Sequence, residues 1–181
     1  KGRAVWFVLF QSASYHTKGE IPLAIIALLL AAAAVAIDQI LKLLVTSNLQ
    51  PNSGFHVING FLKIFYIQNR GAAFGILQNQ RWFFVVVTLT ISVVIIYALF
   101  QYRQHDFFSY AAGTLIIGGG IGNLIDRMMY GYVVDYISVS FFPPIFNFAD
   151  CCVTVGTVFL MIHILFFSDL NSNTEKVIRT K

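Results

Sequence analysis

Four long apolar segments constrain this chain more than any other feature. They run roughly from Ile21 to Val45, from Trp82 to Phe100, from Phe107 to Ile125 and from Phe148 to Phe167. Each approaches the roughly 20 residues that a helix needs to cross a hydrocarbon core. Charged residues make up only 11% of the chain, far below the roughly one quarter of a soluble domain. The sequence therefore predicts an all-α membrane protein with four transmembrane helices.

The connections between these segments differ in character. The first, 46–81, contains turn signals and the aromatic, β-branched run Phe61–Ile67, which is typical of a strand. The second, 131–147, contains Pro143 and Pro144, which a helix does not tolerate in its interior. We therefore expect a small extracytoplasmic β-sheet between helices 1 and 2, lying at the membrane surface.

The domain organisation follows from the positions of these spans. Residues 1–17 include the run Leu9-Phe-Gln-Ser12, which is similar to a protease-site linker of expression vectors, so we expect added or disordered sequence there. Residues 18–168 are predicted to form the four-helix membrane domain. Residues 169–181 are predicted to form a cytoplasmic tail.

The distribution of basic residues predicts the orientation, because loops on the cytoplasmic side carry an excess of Lys and Arg. With both termini in the cytoplasm, that side holds seven basic residues: Lys1, Arg3, Lys18, Arg103, Lys176, Arg179 and Lys181. The opposite side then holds four: Lys63, Arg70, Arg81 and Arg127. This orientation is the expected one.

Several functions are disfavoured by what the chain contains. The net charge of +4 is dispersed rather than clustered, so a nucleic-acid partner is not expected. Cys151 and Cys152 are adjacent in an apolar run, which suits small packing residues better than a disulfide framework or a zinc site. The four scattered histidines form no His-Glu-x-x-His motif, and a Gly-x-Ser-x-Gly motif is also missing. We expect neither a metalloprotease nor a serine hydrolase, and no cofactor.

Ionisable residues at membrane depth are costly and usually functional. Asp38 and Lys42 are four residues apart in the first segment, so they share a helix face and can form an ion pair. The pair is interpreted either as purely structural or as part of a site near the outer end of the helix.

Two Asn-x-x-Asp elements follow later in the chain. Asn123 and Asp126 end the third segment, and Asn147 and Asp150 begin the fourth. On a helix this spacing places an amide beside each carboxyl, where it can orient the carboxyl by a hydrogen bond. For Asp126, the adjacent Arg127 predicts a salt bridge at the membrane interface. The glycines from Gly118 to Gly122 are interpreted as helix-packing positions.

Asp135 and Asp150 lie in apolar surroundings near the predicted outer boundary, without a cation in immediate sequence. Two carboxyls brought together in such a site cannot both ionise, so they can share a proton and act as base and acid on one water. The alternatives are two unrelated polar residues at helix ends, or a proton relay with Asp38 and Asp126 in a small transporter. A structural membrane subunit is a third possibility.

Five motifs in order resemble those of the bacterial lipoprotein signal peptidases (signal peptidase II). They are Asp38-x-x-x-Lys42, Asn69-Arg-Gly-Ala-Ala-Phe74, Gly118-Gly-x-x-Gly-Asn-x-x-Asp-Arg127, Val133-Val-Asp135 and Phe146-Asn-x-Ala-Asp150. The resemblance implies a membrane-embedded aspartyl endopeptidase of the bacterial inner membrane with its active site near the outer face. It also implies cleavage of diacylglyceryl-modified prolipoproteins just before the lipidated cysteine, by a protein expected to be a monomer surrounded by membrane lipid.

The same resemblance implies roles for individual residues. Asp135 and Asp150 correspond to the catalytic pair. The supporting or substrate-binding residues are Asn69, Gly71, Asn123, Asp126, Arg127, Asn147, Asp38 and Lys42. Two departures from the family pattern are small: Tyr136 stands where phenylalanine is common, and Cys151-Cys152 where serine is frequent.

Overall fold

Eight helices and strands make up the described part of the fold in a computed structural model of the chain. The structure describes residues 2–72, 76–101 and 105–167, with side chains from Ile21 onward. The elements are α1 (Gly2–Asn48), β1 (Gly54–Ile58), β2 (Leu62–Asn69), α2 (Arg81–Gln101), α3 (Phe107–Met129), β3 (Val133–Val139), β4 (Phe142–Phe146) and α4 (Phe148–Ile162). A π-helical turn, His163–Phe167, continues α4. The predicted division into domains stays a prediction, and residues 169–181 lie outside the described ranges.

Four helices of the described chain are long and apolar enough to span a membrane: Ile21–Asn48, Arg81–Gln101, Phe107–Met129 and Phe148–Phe167. Large apolar side chains cover their outer surfaces; Leu29 is 65% exposed and Val93 is 64% exposed. A water-soluble protein does not display so continuous an apolar surface. Lipid is therefore the solvent for these faces, and the four predicted spans are confirmed.

Small residues allow the helices to approach closely. A Cβ atom added to Gly118 would lie 2.9 Å from the Cβ of Ala34 in α1. One added to Gly119 would collide with the backbone oxygen of Ala149 in α4. Lipid offers little hydrophobic drive for helix association, so close backbone packing supplies much of it. The interpretation of these glycines as packing positions is confirmed.

The strands form one antiparallel sheet in the order β1-β2-β3-β4. The predicted strand Phe61–Ile67 corresponds to β2, but the expected location of the whole sheet between helices 1 and 2 is wrong. Only β1 and β2 come from that connection, whereas β3 and β4 come from the connection between α3 and α4. Pro143 and Pro144 lie outside any helix, as expected, and belong to the edge strand β4, where a missing N–H is tolerated.

The sheet is attached to one end of the helix bundle. Val45 near the end of α1 packs in a buried cluster with Tyr66 of β2 and with Val134 and Tyr136 of β3. The ends of α1 and α3 and the beginnings of α2 and α4 all meet at this side. The polar residues at these helix ends are consequently gathered beneath the sheet.

Candidate active site

Asp135 is held by two amides from different elements. It is 1% exposed in β3, and its Oδ2 accepts a hydrogen bond of 2.8 Å from Asn69 Nδ2. Register explains that contact: Ile67 of β2 pairs with Asp135, and Asn69, two residues further, projects from the same face. Its Oδ1 accepts a 2.6 Å bond from Asn147 Nδ2.

Asp150 is fixed by the start of α4. Asn147 is the N-cap, and its Oδ1 accepts from the Asp150 N–H at 2.9 Å. Asp150 Oδ2 in return accepts from the Asn147 N–H at 3.1 Å, which completes a capping box. The other oxygen of Asp150 accepts a 2.7 Å bond from Asn123 Nδ2 of α3.

Neither side-chain amide of the two Asn-x-x-Asp elements donates to the carboxyl of its own element. We expected each amide to orient the carboxyl of its own element, and this is wrong. The Asn123 amide nitrogen donates to Asp150, and that of Asn147 donates to Asp135. A 3.1 Å bond from Asn147 Nδ2 to Asn123 Oδ1 joins the two amides. Asp135 and Asp150 are thus linked through a single hydrogen-bonded network.

Burial and charge together change the protonation of Asp135. Burial, which disfavours the ionised form, raises the pKa of Asp135 to about 7, and the nearby negative charge of Asp150 contributes in the same direction. The hydrogen bonds from Asn69 and Asn147 oppose part of this shift. Asp135 can therefore retain a proton at near-neutral pH, as an acid must in order to donate one.

A buried ionic cluster lies behind this pair. Lys42 Nζ is 2.8 Å from Asp38 Oδ2 and 2.9 Å from Asp126 Oδ2. The same ammonium donates to Asn123 Oδ1 at 2.9 Å. The Asp38–Lys42 pair is thus confirmed, and both acids are almost fully buried. Gly122 permits this packing, because a Cβ there would lie 2.5 Å from Asp38 Oδ2.

Arg127 does not form the predicted salt bridge with Asp126. Its Nη2 donates to the backbone oxygen of Gly71 at 3.2 Å, and its Nη1 donates to that of Asn123 at 3.3 Å. The guanidinium lies 4.6 Å from the centre of the Phe84 ring. Adjacent residues on a helix do not face each other, so Asp126 pairs with Lys42 and Arg127 instead holds the loop after β2.

Asp135 and Asp150 both line one cavity of about 720 Å³. Asn69, Gly71, Asn123 and Arg127 also line it. The opposite wall is apolar and comes from the β3–β4 hairpin: Val139, Phe141, Phe142, Pro144, Ile145 and Phe146. Such a cavity suits an extended, largely apolar ligand that presents a polar bond to two carboxyls.

The predicted residues fall into two groups. Asp135, Asp150, Asn69, Gly71, Asn123 and Arg127 line the cavity. Asp38, Lys42, Asp126 and Asn147 are buried behind it. Cys151 lines the cavity and Cys152 is buried, and both are free thiols. Among the described residues, no group of three or more His, Cys, Asp or Glu side chains could hold a metal ion.

Sequence reasoning missed two components of the site. Gln39 donates to both Asp38 and Asp126, and the signal for it was a polar residue beside Asp38 in an otherwise apolar run. The aromatic wall of the hairpin was missed too, although the run Phe141-Phe142-Pro-Pro-Ile-Phe146 stands out in the sequence. Tyr136, the departure from the family pattern, accepts a 3.4 Å hydrogen bond from the Phe148 N–H at the start of α4.

Comparison with known proteins agrees with this arrangement. The family model described as signal peptidase (SPase) II matches residues 30–166. A lipoprotein signal peptidase of Clostridioides difficile is 44% identical over 134 residues, covering 74% of this chain and 90% of the relative. One of Caldanaerobacter subterraneus is 42% identical over 134 residues, covering 74% and 92%.

Solved structures point in the same direction. A bacterial membrane enzyme determined by the in meso method at 2.3 Å resolution superposes with a TM-score of 0.72 and 35% identity, covering 77% of this chain and 87% of that one. A second, at 1.9 Å resolution, gives a TM-score of 0.71 and 34% identity, covering 78% and 94%. With the family model matched over most of the membrane domain and its motifs gathered at one end of the bundle, the chain belongs to the signal peptidase II family, the membrane-embedded lipoprotein signal peptidases.

Proposed function

We propose that the chain is an aspartyl endopeptidase that removes the signal peptide from diacylglyceryl-modified prolipoproteins, cleaving before the lipidated cysteine. Asp135 and Asp150 are the catalytic pair in this proposal. The observation that carries it is that two buried carboxyls, joined through Asn123 and Asn147, face one cavity. Family membership supports the substrate, since the relatives are lipoprotein signal peptidases.

The chemistry requires one ionised and one protonated carboxyl. The ionised carboxyl takes a proton from a water molecule, whose oxygen attacks the scissile carbonyl carbon. The protonated carboxyl gives its proton to the carbonyl oxygen, and the resulting diol collapses as the leaving amine is protonated. The raised pKa of Asp135, caused by burial and by the charge of Asp150, supports such a division at neutral pH. No covalent intermediate is required.

The remaining cavity residues would position the substrate. Asn123 and Asn147 hold the two carboxyls in fixed orientations. Arg127 anchors the Gly71 carbonyl, and Asn69 Oδ1 accepts from the Gly71 N–H at 2.9 Å. This loop and the apolar hairpin wall are suited to hold an extended signal peptide across the pair. Because all these groups come from one chain, a monomer is a sufficient catalytic unit.

The proposal predicts that cleavage depends on the lipid of the substrate. Purified protein in mixed lipid and detergent should shorten a diacylglyceryl-modified prolipoprotein, and the new N-terminus should be the lipidated cysteine. The same prolipoprotein with an unmodified cysteine should remain uncut, because the diacylglyceryl group anchors the scissile bond at the depth of a membrane-embedded site. Intact-mass spectrometry of both reactions measures this. Equal cleavage of both substrates, or cleavage at another bond, would contradict the proposed specificity.

The proposed orientation in the inner membrane of a bacterium has both termini in the cytoplasm and the active site near the outer face. The excess of basic residues on the terminal side supports it. A reporter inserted at Ser53, between the exposed turn at 51–52 and β1, should therefore give the extracytoplasmic signal, and a fusion after Phe100 the cytoplasmic one. Reversal of these signals would place the site at the cytoplasmic face and refute the orientation.

A further inference from the structure

We infer that Gln39 is a positioning residue, which sets the separation of Asp135 and Asp150 by holding Asp38 and Asp126 in place. The inference rests on the proposed function, because the catalytic pair is part of that proposal. Gln39 lies between Asp38 and Lys42 in α1, at a position that the first of the five family motifs leaves unspecified.

The contacts of Gln39 identify it as a bridge between α1 and α3. The two N–H groups of its Nε2 face three acceptors, the Gly122 carbonyl at 3.1 Å, Asp126 Oδ1 at 3.1 Å and Asp38 Oδ2 at 3.3 Å, so one N–H is shared between two of them. All three partner atoms are acceptors: the Gly122 oxygen is a carbonyl, and an ionised carboxylate has no proton to donate. Only the nitrogen end of the amide satisfies them, so the side chain has one productive orientation.

Asp38 and Asp126 each bind the backbone next to one aspartate of the proposed catalytic pair. Asp38 Oδ1 accepts a 3.1 Å bond from the Ala149 N–H, the residue immediately before Asp150. Asp126 Oδ2 accepts a 3.0 Å bond from the Val134 N–H, the residue immediately before Asp135. Each buried acid therefore holds the backbone N–H of the residue that precedes one aspartate of the proposed catalytic pair.

Lys42 cannot replace Gln39 in this arrangement. Its ammonium binds the Oδ2 atoms of both Asp38 and Asp126. The Oδ1 atom of Asp126 is instead bound by Gln39. With both oxygens held, the Asp126 carboxylate cannot rotate about its Cβ–Cγ bond. Without Gln39 it can turn about the Lys42 contact, and the Val134 peptide that it binds can move with it.

The inference is tested with Gln39→Met, which keeps the length of the side chain and removes both donors. A misplacement of about 1 Å can cost up to about a hundredfold in rate, and we expect kcat per folded enzyme to fall at least about tenfold. The affinity for an uncleaved lipopeptide should change less than about twofold, since Gln39 does not line the cavity. The alkaline limb of the rate–pH profile should shift, because a changed separation of the pair changes the influence of Asp150 on Asp135. Gln80→Met, at an exposed position before α2, is the matched control and should match wild type.

The outcomes separate this inference from the proposed function. If Asp135→Asn and Asp150→Asn are inactive while Gln39→Met keeps the wild-type kcat and pH profile, the positioning role is wrong and the peptidase proposal stands. A lower thermal midpoint with unchanged kcat shows a merely structural role and also overturns the inference. If the two aspartate variants remain active, the catalytic pair itself fails. Should Gln39→Met not fold, Gln39→Asn keeps an amide one methylene too short to reach both acids and should show the same loss of kcat.

Discussion

Replacing Asp135 or Asp150 by asparagine is expected to remove nearly all cleavage, with a loss of about 10²–10⁴-fold for the proton transfers that we propose for each carboxyl. The double variant should be little worse than either single one, because groups that act in one step are not additive. Lipopeptide affinity should persist, since asparagine keeps the shape of the carboxyl and removes a buried charge. Single-turnover cleavage and equilibrium binding of an uncleaved lipopeptide measure the two effects.

Asp106→Asn is the matched control for these variants. Asp106 caps α3 at the end of the bundle away from the sheet, and asparagine is an equally good cap. Its turnover should therefore equal that of the wild type. Retention of a tenth of wild-type turnover by Asp135→Asn or Asp150→Asn would refute the catalytic pair.

The Lys42→Met variant is expected to lose on the order of 3–5 kcal/mol of folding free energy. Lys42 is 3% exposed and is the shared cation of Asp38 and Asp126. Its removal leaves two buried carboxylates without their shared cation, and Asn123 Oδ1 loses one of its two donors. Equilibrium unfolding in detergent micelles measures the change.

Two further variants serve as controls for the Lys42→Met unfolding measurement. Lys63→Met removes a lysine from the sheet, where the ammonium lies over the Phe65 ring, and should cost no more than about 1 kcal/mol. Adding Asp38→Asn and Asp126→Asn to Lys42→Met should recover part of the loss, because the unpaired charges are then gone. A Lys42→Met protein as stable as Lys63→Met would show that the cluster does not hold the fold together.

The membrane spans and one strand could be predicted because they depend on local composition. Phe61–Ile67 has the aromatic and β-branched content of a strand, and it forms most of β2. Strand β4 has no such pattern, since Phe142-Pro-Pro interrupts alternation and prolines cannot donate to a ladder. Its pairing with β3 arises from the hairpin, so the location of the whole sheet was predicted wrongly.

The residue types of the candidate site could be predicted better than their partners. Asp38 and Lys42 pair within one helix turn, which spacing alone implies. Asn123 of α3 instead orients Asp150 of α4, and Asn147 orients Asp135 of β3. These contacts depend on how α3, α4 and the sheet pack together, which sequence spacing does not reveal. The predicted Asp126–Arg127 salt bridge was wrong. Helix geometry already argues against it, because the side chains of adjacent helical residues point in different directions.

The alternative interpretation of the buried aspartates as a proton relay loses support from the contacts of Asp38 and Asp126. Asp38 and Asp126 share Lys42 and Gln39, and each also accepts a hydrogen bond from a backbone N–H, through Oδ1 in Asp38 and through Oδ2 in Asp126. Such fully engaged acids are suited to fixing a structure rather than to passing protons along a path. The family is also one of peptidases, which leaves the catalytic pair as the account to test.

The pH dependence of kcat/KM for the lipidated substrate tests most directly whether the two carboxyls share one proton. The account predicts a bell-shaped profile, because kcat/KM reports the titration of essential groups in the free enzyme. The rate should rise as the pair loses its first proton. It should fall through about pH 7, where Asp135, its pKa raised to about 7 by burial and by Asp150, loses the second. A rate that stays constant or keeps rising between about pH 6 and about pH 9 would contradict the shared proton.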